Sequence, residues 1–161
     1  MPRLLFVCLG NICRSPTAEA IATALARRRG LALTADSAGT GAWHLGEPPD
    51  PRMREAAGRA GYDLSALRAR QIDPADFRSF DLILAMDRQN LADIEALRAR
   101  SGGAGDAPAA LFLPFGPSGR KDVPDPYLEG GFDSVTRLIE QTAEALLDGI
   151  AEDWPGLLHR A

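Results

Sequence analysis

The sequence has few of the residues that build disulfide scaffolds and metal sites. It contains two cysteines, Cys8 and Cys13, and two histidines, His44 and His159. Two thiols cannot form the disulfide framework of a small secreted protein, so we expect a cytoplasmic location. These four residues do not have the spacing of zinc ligands, so we expect no metal and no other cofactor. With two histidines, the sequence also offers few candidates for the histidine of a Ser-His-Asp catalytic triad.

The sequence also lacks a long apolar run and an excess of positive charge. No segment approaches the roughly 20 apolar residues of a membrane-spanning helix, so we expect no membrane insertion. The 18 basic and 22 acidic residues give a net charge of −4. General nucleic-acid binding relies on a positive surface field, so we expect no nucleic-acid partner. The length of 161 residues predicts a single domain over residues 1–161.

Short apolar runs alternate along the chain with segments of helical periodicity. The runs predict strands at 4–8, 31–37, 81–86 and 109–113. Ser15 is placed to cap the first helix, Pro16 suits its first position, and Gly30 ends it. Asp87 is placed to cap the helix that follows the third strand. This alternation predicts an α/β fold with a parallel sheet that helices cover on both faces.

The segment from Cys8 to Ser15 joins the first predicted strand to the first predicted helix. Backbone N–H groups in such a loop point into a concavity and bind anions. Gly10 permits a tight turn, and Arg14 can grip two phosphoryl oxygens with its planar guanidinium. The loop therefore predicts a phosphate site formed by Leu9, Gly10, Asn11, Ile12, Cys13, Arg14 and Ser15.

Cys8 is predicted to lie at the floor of this site. Backbone dipoles, the helix N-terminus and Arg14 favour its thiolate form, and the Ser15 hydroxyl can donate to the sulfur. A thiolate beneath a bound phosphate is placed for in-line attack on phosphorus. The alternative interpretation is structural: Cys8 is a small buried hydrophobe, and Arg14 is a surface residue.

Asp125 is the candidate acid for the same chemistry. Transfer of a phosphoryl group from an aryl ester to cysteine needs an acid that protonates the departing oxygen. Pro124 and Pro126 stiffen the backbone around Asp125, and Tyr127 could form a wall for an aromatic substrate. The alternative interpretation is that Asp-Pro here is only turn chemistry.

Together these segments resemble the low-molecular-weight protein tyrosine phosphatases over nearly the whole chain. The resemblance lies in Leu5 to Pro16, Asp36 to Thr40, Gly46 to Pro51, Arg68 to Ile72, Phe80-Asp81, Met86-Asp87 and Asp125 to Tyr127. It implies a three-layer α/β fold with a four-stranded parallel sheet flanked by helices, and a phosphate-binding loop between strand 1 and helix 1. It also implies hydrolysis of phosphotyrosine in proteins without a metal, by a monomer or weak dimer.

The resemblance also implies roles for particular residues. Cys8 corresponds to the nucleophile that carries a cysteinyl-phosphate intermediate, Arg14 to the phosphate clamp, and Asp125 to the general acid and then base. Two further groups take supporting roles: Asn11, Ser15 and Ser37 hold the loop, and Ile12, Trp43 and Tyr127 line the substrate cleft. Cys13 corresponds to the thiol that forms a reversible disulfide with Cys8 and shields it from over-oxidation.

The chain departs from the family pattern at two positions. Leu67 stands where many members have a histidine that helps tie the loop network to the acid at the Asp87 position. We therefore expect the rigidity of the loop to depend more on Asn11 and Ser37. Leu128 replaces the second tyrosine of eukaryotic members, which indicates a bacterial-type enzyme.

Three other functions fit parts of the pattern. A thiol-linked arsenate reductase uses the same loop but needs a further cysteine, and none follows Cys13. A phosphoarginine phosphatase would have threonine where Ile12 stands. A redox switch or phosphate-binding module without turnover would not need Cys8, Arg14 and Asp125 together.

Overall fold

The computed structural model describes residues 1–103 and 105–161, and its centre is a parallel β-sheet. In this part of the chain the sheet has four strands in the order β2-β1-β3-β4, and every pairing is parallel. The strands are β1 Arg3–Cys8, β2 Thr34–Gly39, β3 Leu82–Ala85 and β4 Ala109–Leu111. The predicted fold class is therefore confirmed, although β2 begins three residues later and β4 ends two residues earlier than predicted.

Helices cover both faces of the sheet. The helices are α1 Arg14–Arg29, α2 Pro51–Arg59, α3 Asp76–Ser79, α4 Arg88–Arg100, α5 Pro126–Glu129 and α6 Phe132–Arg160, with a 3-10 turn at Leu113–Phe115. α1 packs against α6 and against β1 and β2, whereas α4 packs against β3 and β4. The molecule thus has three layers, with the sheet in the middle.

β1 is buried on both sides because its neighbours in the sheet and both helical layers enclose it. Alternate side chains of a strand point to opposite faces, and here both faces are apolar. Leu4 and Phe6 join the larger core cluster with α1 and α6, and Leu5 and Val7 join the smaller one with α3 and α4. The carboxyl end of this rigid strand carries Cys8.

The start of α1 differs from the prediction. Cys13 is the N-cap residue, and its side chain makes no capping bond. The predicted cap, Ser15, lies inside the first turn, where its hydroxyl bonds to other side chains of the loop. The end of α1 is as predicted: Gly30 adopts the left-handed conformation with φ 65°, after three arginines that suit a helix C-terminus.

α6 contains a break near the end of the chain. Asp153 has non-helical angles, and its carboxylate accepts from the backbone N–H of Gly156 at 3.0 Å, as an N-cap does. Pro155 explains the break because proline cannot donate within a continuous helix. The last turns nevertheless pack on the core through Leu157, which is buried. None of the helices within the described ranges is long and apolar enough to cross a membrane.

The topology places a crevice at the carboxyl end of β1. The chain leaves β1 for β2 on one side, and β3 lies on the other. Open parallel sheets bind ligands where the strand order switches in this way. The loop after β1 and Asp87 after β3 meet at this crevice, and the segment before α5 reaches it as well.

Candidate active site

The loop between β1 and α1 surrounds the sulfur of Cys8 with donors. Cys8 is 2% exposed. The backbone N–H of Asn11 donates to its Sγ at 3.2 Å, and the Ser15 Oγ lies 3.0 Å from the same atom. Donors aimed at a sulfur stabilise a thiolate there, both as the attacking group and as the leaving group. This geometry is unlike that of a small hydrophobe packed in a core.

Asn11 is the centre of the bonds that hold the loop. Its side-chain amide donates to Ser15 Oγ at 2.8 Å and to Ser37 Oγ at 3.0 Å, and its carbonyl oxygen accepts from the Arg70 backbone N–H at 2.9 Å. Its φ of 56° lies in the left-handed region, which asparagine tolerates better than most residues. The bonds tie α1, β2 and the segment before α3 to one side chain.

Arg14 is 3% exposed and is anchored by groups that do not belong to the loop. Its Nη1 donates to Asp87 Oδ2 at 2.7 Å and to the Val123 carbonyl oxygen at 3.0 Å. Burial opposes its charge, but Cys8, Asp87 and Asp125 outweigh that effect and raise the pKa of Arg14. The guanidinium is therefore a fixed, fully charged group beside the sulfur.

Asp87 does more than cap α4. Its Oδ1 accepts from the Asn90 backbone N–H at 2.7 Å, as predicted, while its Oδ2 holds Arg14. Asp87 therefore contacts the loop directly through Arg14, and the effect of Leu67 on the rigidity of the loop stays a prediction. Leu67 is partly buried and packs against the larger core cluster.

Asp125 lies at the mouth of the site, on the turn that begins α5. Its Oδ1 accepts from the Tyr127 backbone N–H at 3.1 Å, and its Oδ2 is 3.7 Å from Arg14 Nη2. The side chain of Asp125 lines the same cavity as Cys8. The structure therefore brings together the predicted nucleophile, clamp and acid, which are separated by up to 117 residues.

The cavity above Cys8 has a volume of about 210 Å³ and a largely apolar wall. The predicted cleft residues Ile12, Trp43 and Tyr127 all line it. Trp43 is 72% exposed, although tryptophan is usually well buried. Its indole is thus available to an aromatic ligand.

Two further residues, His44 and Leu128, line the cavity and were not predicted to do so. The His44 Nδ1 is 2.5 Å from Glu47 Oε2, and its ring lies 6.1 Å from the Tyr127 ring in an edge-on arrangement. The guanidinium of Arg52 covers Tyr127 at 5.6 Å. The aromatic wall at Tyr127 is therefore held from two sides.

Cys13 is a buried residue of the same loop and also lines the cavity. Burial, assisted by the negative charges of Asp50 and Cys8, holds the pKa of its thiol far above the usual range. Both cysteines are free thiols. Cys13 is therefore protonated at neutral pH, and the two sulfurs differ in their surroundings. In the described ranges no group of three or more His, Cys, Asp or Glu side chains could hold a metal ion.

Comparison with known proteins gives one family over nearly the whole chain. Residues 3–155 match the family model described as low molecular weight phosphotyrosine protein phosphatase. The chain is 42% identical over 156 residues to the low molecular weight protein-tyrosine-phosphatase YfkJ of Bacillus subtilis, covering 95% of this chain and 98% of YfkJ. It is 39% identical over 161 residues to a low molecular weight protein-tyrosine-phosphatase of Streptomyces coelicolor, covering 96% of each chain.

Solved structures agree with this result. The crystal structure of Bacillus subtilis YfkJ matches with a TM-score of 0.86 and 41% identity, over 94% of this chain and 96% of that chain. A Drosophila arginine phosphatase matches with a TM-score of 0.85 and 33% identity, over 93% of this chain and 98% of that chain.

Proposed function

The chain belongs to the low molecular weight phosphotyrosine protein phosphatase family, and we propose that it hydrolyses phosphotyrosine in proteins with Cys8, Arg14 and Asp125 as its catalytic residues. One observation carries the proposal: these three side chains line one cavity, with Asp125 Oδ2 3.7 Å from Arg14 Nη2. A thiolate, a fixed cation and a carboxylate are the groups that phosphoryl transfer to cysteine needs.

In the first step the Cys8 thiolate attacks phosphorus, a sulfur–phosphorus bond forms, and the bond from phosphorus to the aryl oxygen breaks. Asp125 gives its proton to the departing phenol oxygen. Arg14 and the backbone N–H groups of the loop bind the phosphoryl oxygens. Because Asp87 and the Val123 carbonyl already orient Arg14, little reorganisation is needed as charge develops on these oxygens.

In the second step Asp125, now a carboxylate, takes a proton from a water molecule that attacks phosphorus. The sulfur–phosphorus bond breaks, Cys8 leaves as a thiolate, and inorganic phosphate is released. The leaving sulfur then accepts from the Asn11 backbone N–H and from the Ser15 hydroxyl. The reaction consumes water alone besides the ester.

The shape of the cavity supports an aryl ester as substrate. Cys8 lies at the floor, and Trp43 and Tyr127 stand at the rim, so the ester must be long enough to reach the sulfur. Aromatic side chains at the rim can stack on a phenol ring. Ile12 gives the wall an aliphatic side chain that offers no hydrogen-bond acceptor to a guanidinium group.

The remaining expectations stay proposals. We take residues 1–161 as one catalytic domain, which the family match over residues 3–155 supports. The absence of nucleic-acid binding, the cytoplasmic location and the monomeric or weakly dimeric state stay predictions. So does the Cys8–Cys13 disulfide, which is supported by two free thiols in one loop.

A substrate comparison tests the proposed function. We expect hydrolysis of phosphotyrosine peptides at least about a hundredfold faster, in kcat/KM, than of the same peptides with phosphoserine or phosphoarginine. Arsenate reduction coupled to a thiol should not be detectable. A preference for phosphoarginine would assign the chain to the other activity known among its structural neighbours.

A further inference from the structure

Glu19, which is not among the predicted site residues, lies at the end of the loop network farthest from the sulfur. It stands on α1 one turn after Ser15 and is partly buried. Its Oε1 accepts from the Ser37 hydroxyl at 2.7 Å. A continuous path of hydrogen bonds therefore runs from Glu19 through Ser37, Asn11 and Ser15 to Cys8.

The hydrogens of this path can be counted. The side-chain amide of Asn11 has two, and it gives one to Ser15 Oγ and one to Ser37 Oγ. Both hydroxyl oxygens are thus acceptors from Asn11, so each must direct its own hydrogen elsewhere. Ser37 directs its hydrogen to Glu19. Ser15 has Cys8 Sγ at 3.0 Å and the Ala38 carbonyl oxygen at 3.4 Å, and the sulfur is the nearer partner.

We infer that Glu19 is a positioning residue for the reaction: by accepting the Ser37 hydrogen it leaves the Ser37 oxygen free to accept from Asn11. Asn11 is thereby held with its other amide hydrogen on Ser15, whose own hydrogen goes to the sulfur of Cys8. The inference rests on the proposed function, because the sulfur needs this donor when it leaves phosphorus. A neutral Glu19 carries its own O–H, which can donate to Ser37 and turn the Ser37 hydrogen toward the Asn11 amide, where two donors oppose each other. The ionised carboxylate is an acceptor only and keeps the Ser37 hydrogen away from Asn11.

The burial of Glu19 and the charges around it place the ionisation of its carboxyl group near neutral pH. Burial raises the pKa of Glu19 to about 7, the Ser37 bond and Arg70 oppose the rise, and Asp36 on β2 adds to it. Arg70 is shared with Asp36 at 3.1 Å and with Asp76 at 3.0 Å, so its charge is largely committed to them. The ionisation of Glu19 therefore falls in the neutral range.

The test compares the pH dependence of kcat in three variants with that of the wild type, using p-nitrophenyl phosphate as substrate. The variants are Glu19→Gln, Glu19→Ala and the control Glu140→Gln. In the wild type, Glu140 on α6 accepts a hydrogen bond from the Tyr62 hydroxyl. Glutamine has an oxygen that can accept from Ser37 and N–H groups that can donate to it, and it does not ionise, so it imitates the neutral acid at every pH. Alanine removes the acceptor altogether.

We expect the wild type and Glu140→Gln to share an ionisation in kcat near neutral pH that Glu19→Gln lacks. The kcat of Glu19→Gln should instead match, across the neutral range, the lower value that the wild type has on the acid side of that ionisation. Glu19→Ala should lose about tenfold in kcat, the effect of one hydrogen bond, with KM changed less than about twofold. This split separates positioning from a general loss of structure, which would disturb phosphate binding and KM as well.

Two results would overturn the inference: an unchanged neutral ionisation in Glu19→Gln, or a wild-type kcat in a folded Glu19→Ala. If Glu19→Ala does not fold, the Glu19→Gln profile decides alone. A wild-type protein that does not hydrolyse the aryl phosphate would instead defeat the proposed function, so the two failures are distinguishable.

Discussion

Among single substitutions in the loop that remove as few atoms, Asn11→Ala should destabilise the protein most. The substitution removes three hydrogen bonds, to Ser15, Ser37 and the backbone N–H of Arg70. It also places alanine at a φ of 56°, where a Cβ is unfavourable in most residues. The buried partners of Asn11 would lose their bonds without gaining water.

The magnitude follows from these two contributions. A hydrogen bond inside a protein contributes about 1 kcal/mol net, so three give about 3 kcal/mol. The left-handed backbone adds about 1 kcal/mol for alanine. Asn11→Ala should therefore lower the free energy of unfolding by about 4 kcal/mol. Asn11→Gly loses the same bonds but tolerates the backbone, and should be about 1 kcal/mol more stable than Asn11→Ala.

Urea unfolding of each variant measures these differences, with the slope of the transition checked for constancy. Asn90→Ala is a matched control, because Asn90 is also 2% exposed but its side-chain oxygen has no partner within the described residues. We expect that control to lose less than about 1 kcal/mol. If Asn11→Ala and Asn11→Gly are equal, and neither loses more than Asn90→Ala, Asn11 is not the centre of the loop.

Three further predictions concern the groups around the loop. Asp87→Asn should lower kcat/KM by about ten- to hundredfold, because a neutral amide holds the buried guanidinium less well than a carboxylate. The control Asp122→Asn removes a carboxylate that is paired at the surface, and it should leave kcat/KM near the wild-type value. The raised pKa of Glu19 favours the protonated form in the folded state, so the free energy of unfolding should fall by about 1–2 kcal/mol as pH rises from about 4.5 through about 7, and Glu19→Gln should abolish that fall. An alkylating reagent at neutral pH should label Cys8 and not the protonated Cys13, and thiol should restore activity after peroxide in the wild type but not in Cys13→Ser.

Each of these predictions has an outcome that contradicts it. Equal losses in the Asp87 and Asp122 variants would mean that charge near the site matters but contact does not. If the contribution of Glu19 to the free energy of unfolding rises between acid and neutral pH, the pKa of Glu19 is lowered in the folded protein and not raised. Preferential labelling of Cys13, or irreversible peroxide inactivation of the wild type, would contradict the difference between the two thiols.

Most residues that line the cavity were predicted from the sequence, but several hydrogen bonds between distant segments of the chain were not. Cys8, Gly10 and Arg14 lie in one strand-to-helix loop, so their spacing and position already indicated an anion site. Asp87 holds Arg14 across 73 residues of chain. Its position before a helix indicated only a cap, because the second contact depends on how β3 pairs with β1.

Glu19 shows the same limit more sharply. A glutamate inside an amphipathic helix is normally a solvated residue, and nothing in its neighbours along the chain indicates otherwise. Its partner Ser37 comes from β2, which packs against α1 only in the folded protein. The signal available in the sequence was its position four residues after Ser15, which places both side chains on one face of the helix.

Ser15 illustrates a different failure, in which a local rule lost to tertiary contacts. Serine followed by proline is typical of a helix start, yet the helix begins earlier and the hydroxyl is used at Cys8 instead. The break at Asp153 is the reverse case. Pro155 could have predicted it, but the apolar residues of α6 keep their helical spacing across the region.

The central claim is that Cys8 carries the phosphoryl group during turnover, and trapping that intermediate tests it most directly. In Asp125→Ala the base that activates water is absent, whereas p-nitrophenol leaves readily without an acid. Rapid acid quenching during turnover of p-nitrophenyl phosphate, followed by mass spectrometry, should find phosphate on the peptide that contains Cys8. The release of p-nitrophenol should show a burst close to one equivalent of enzyme. Turnover with no phosphate on Cys8, or an equal burst in Cys8→Ser, would contradict the account.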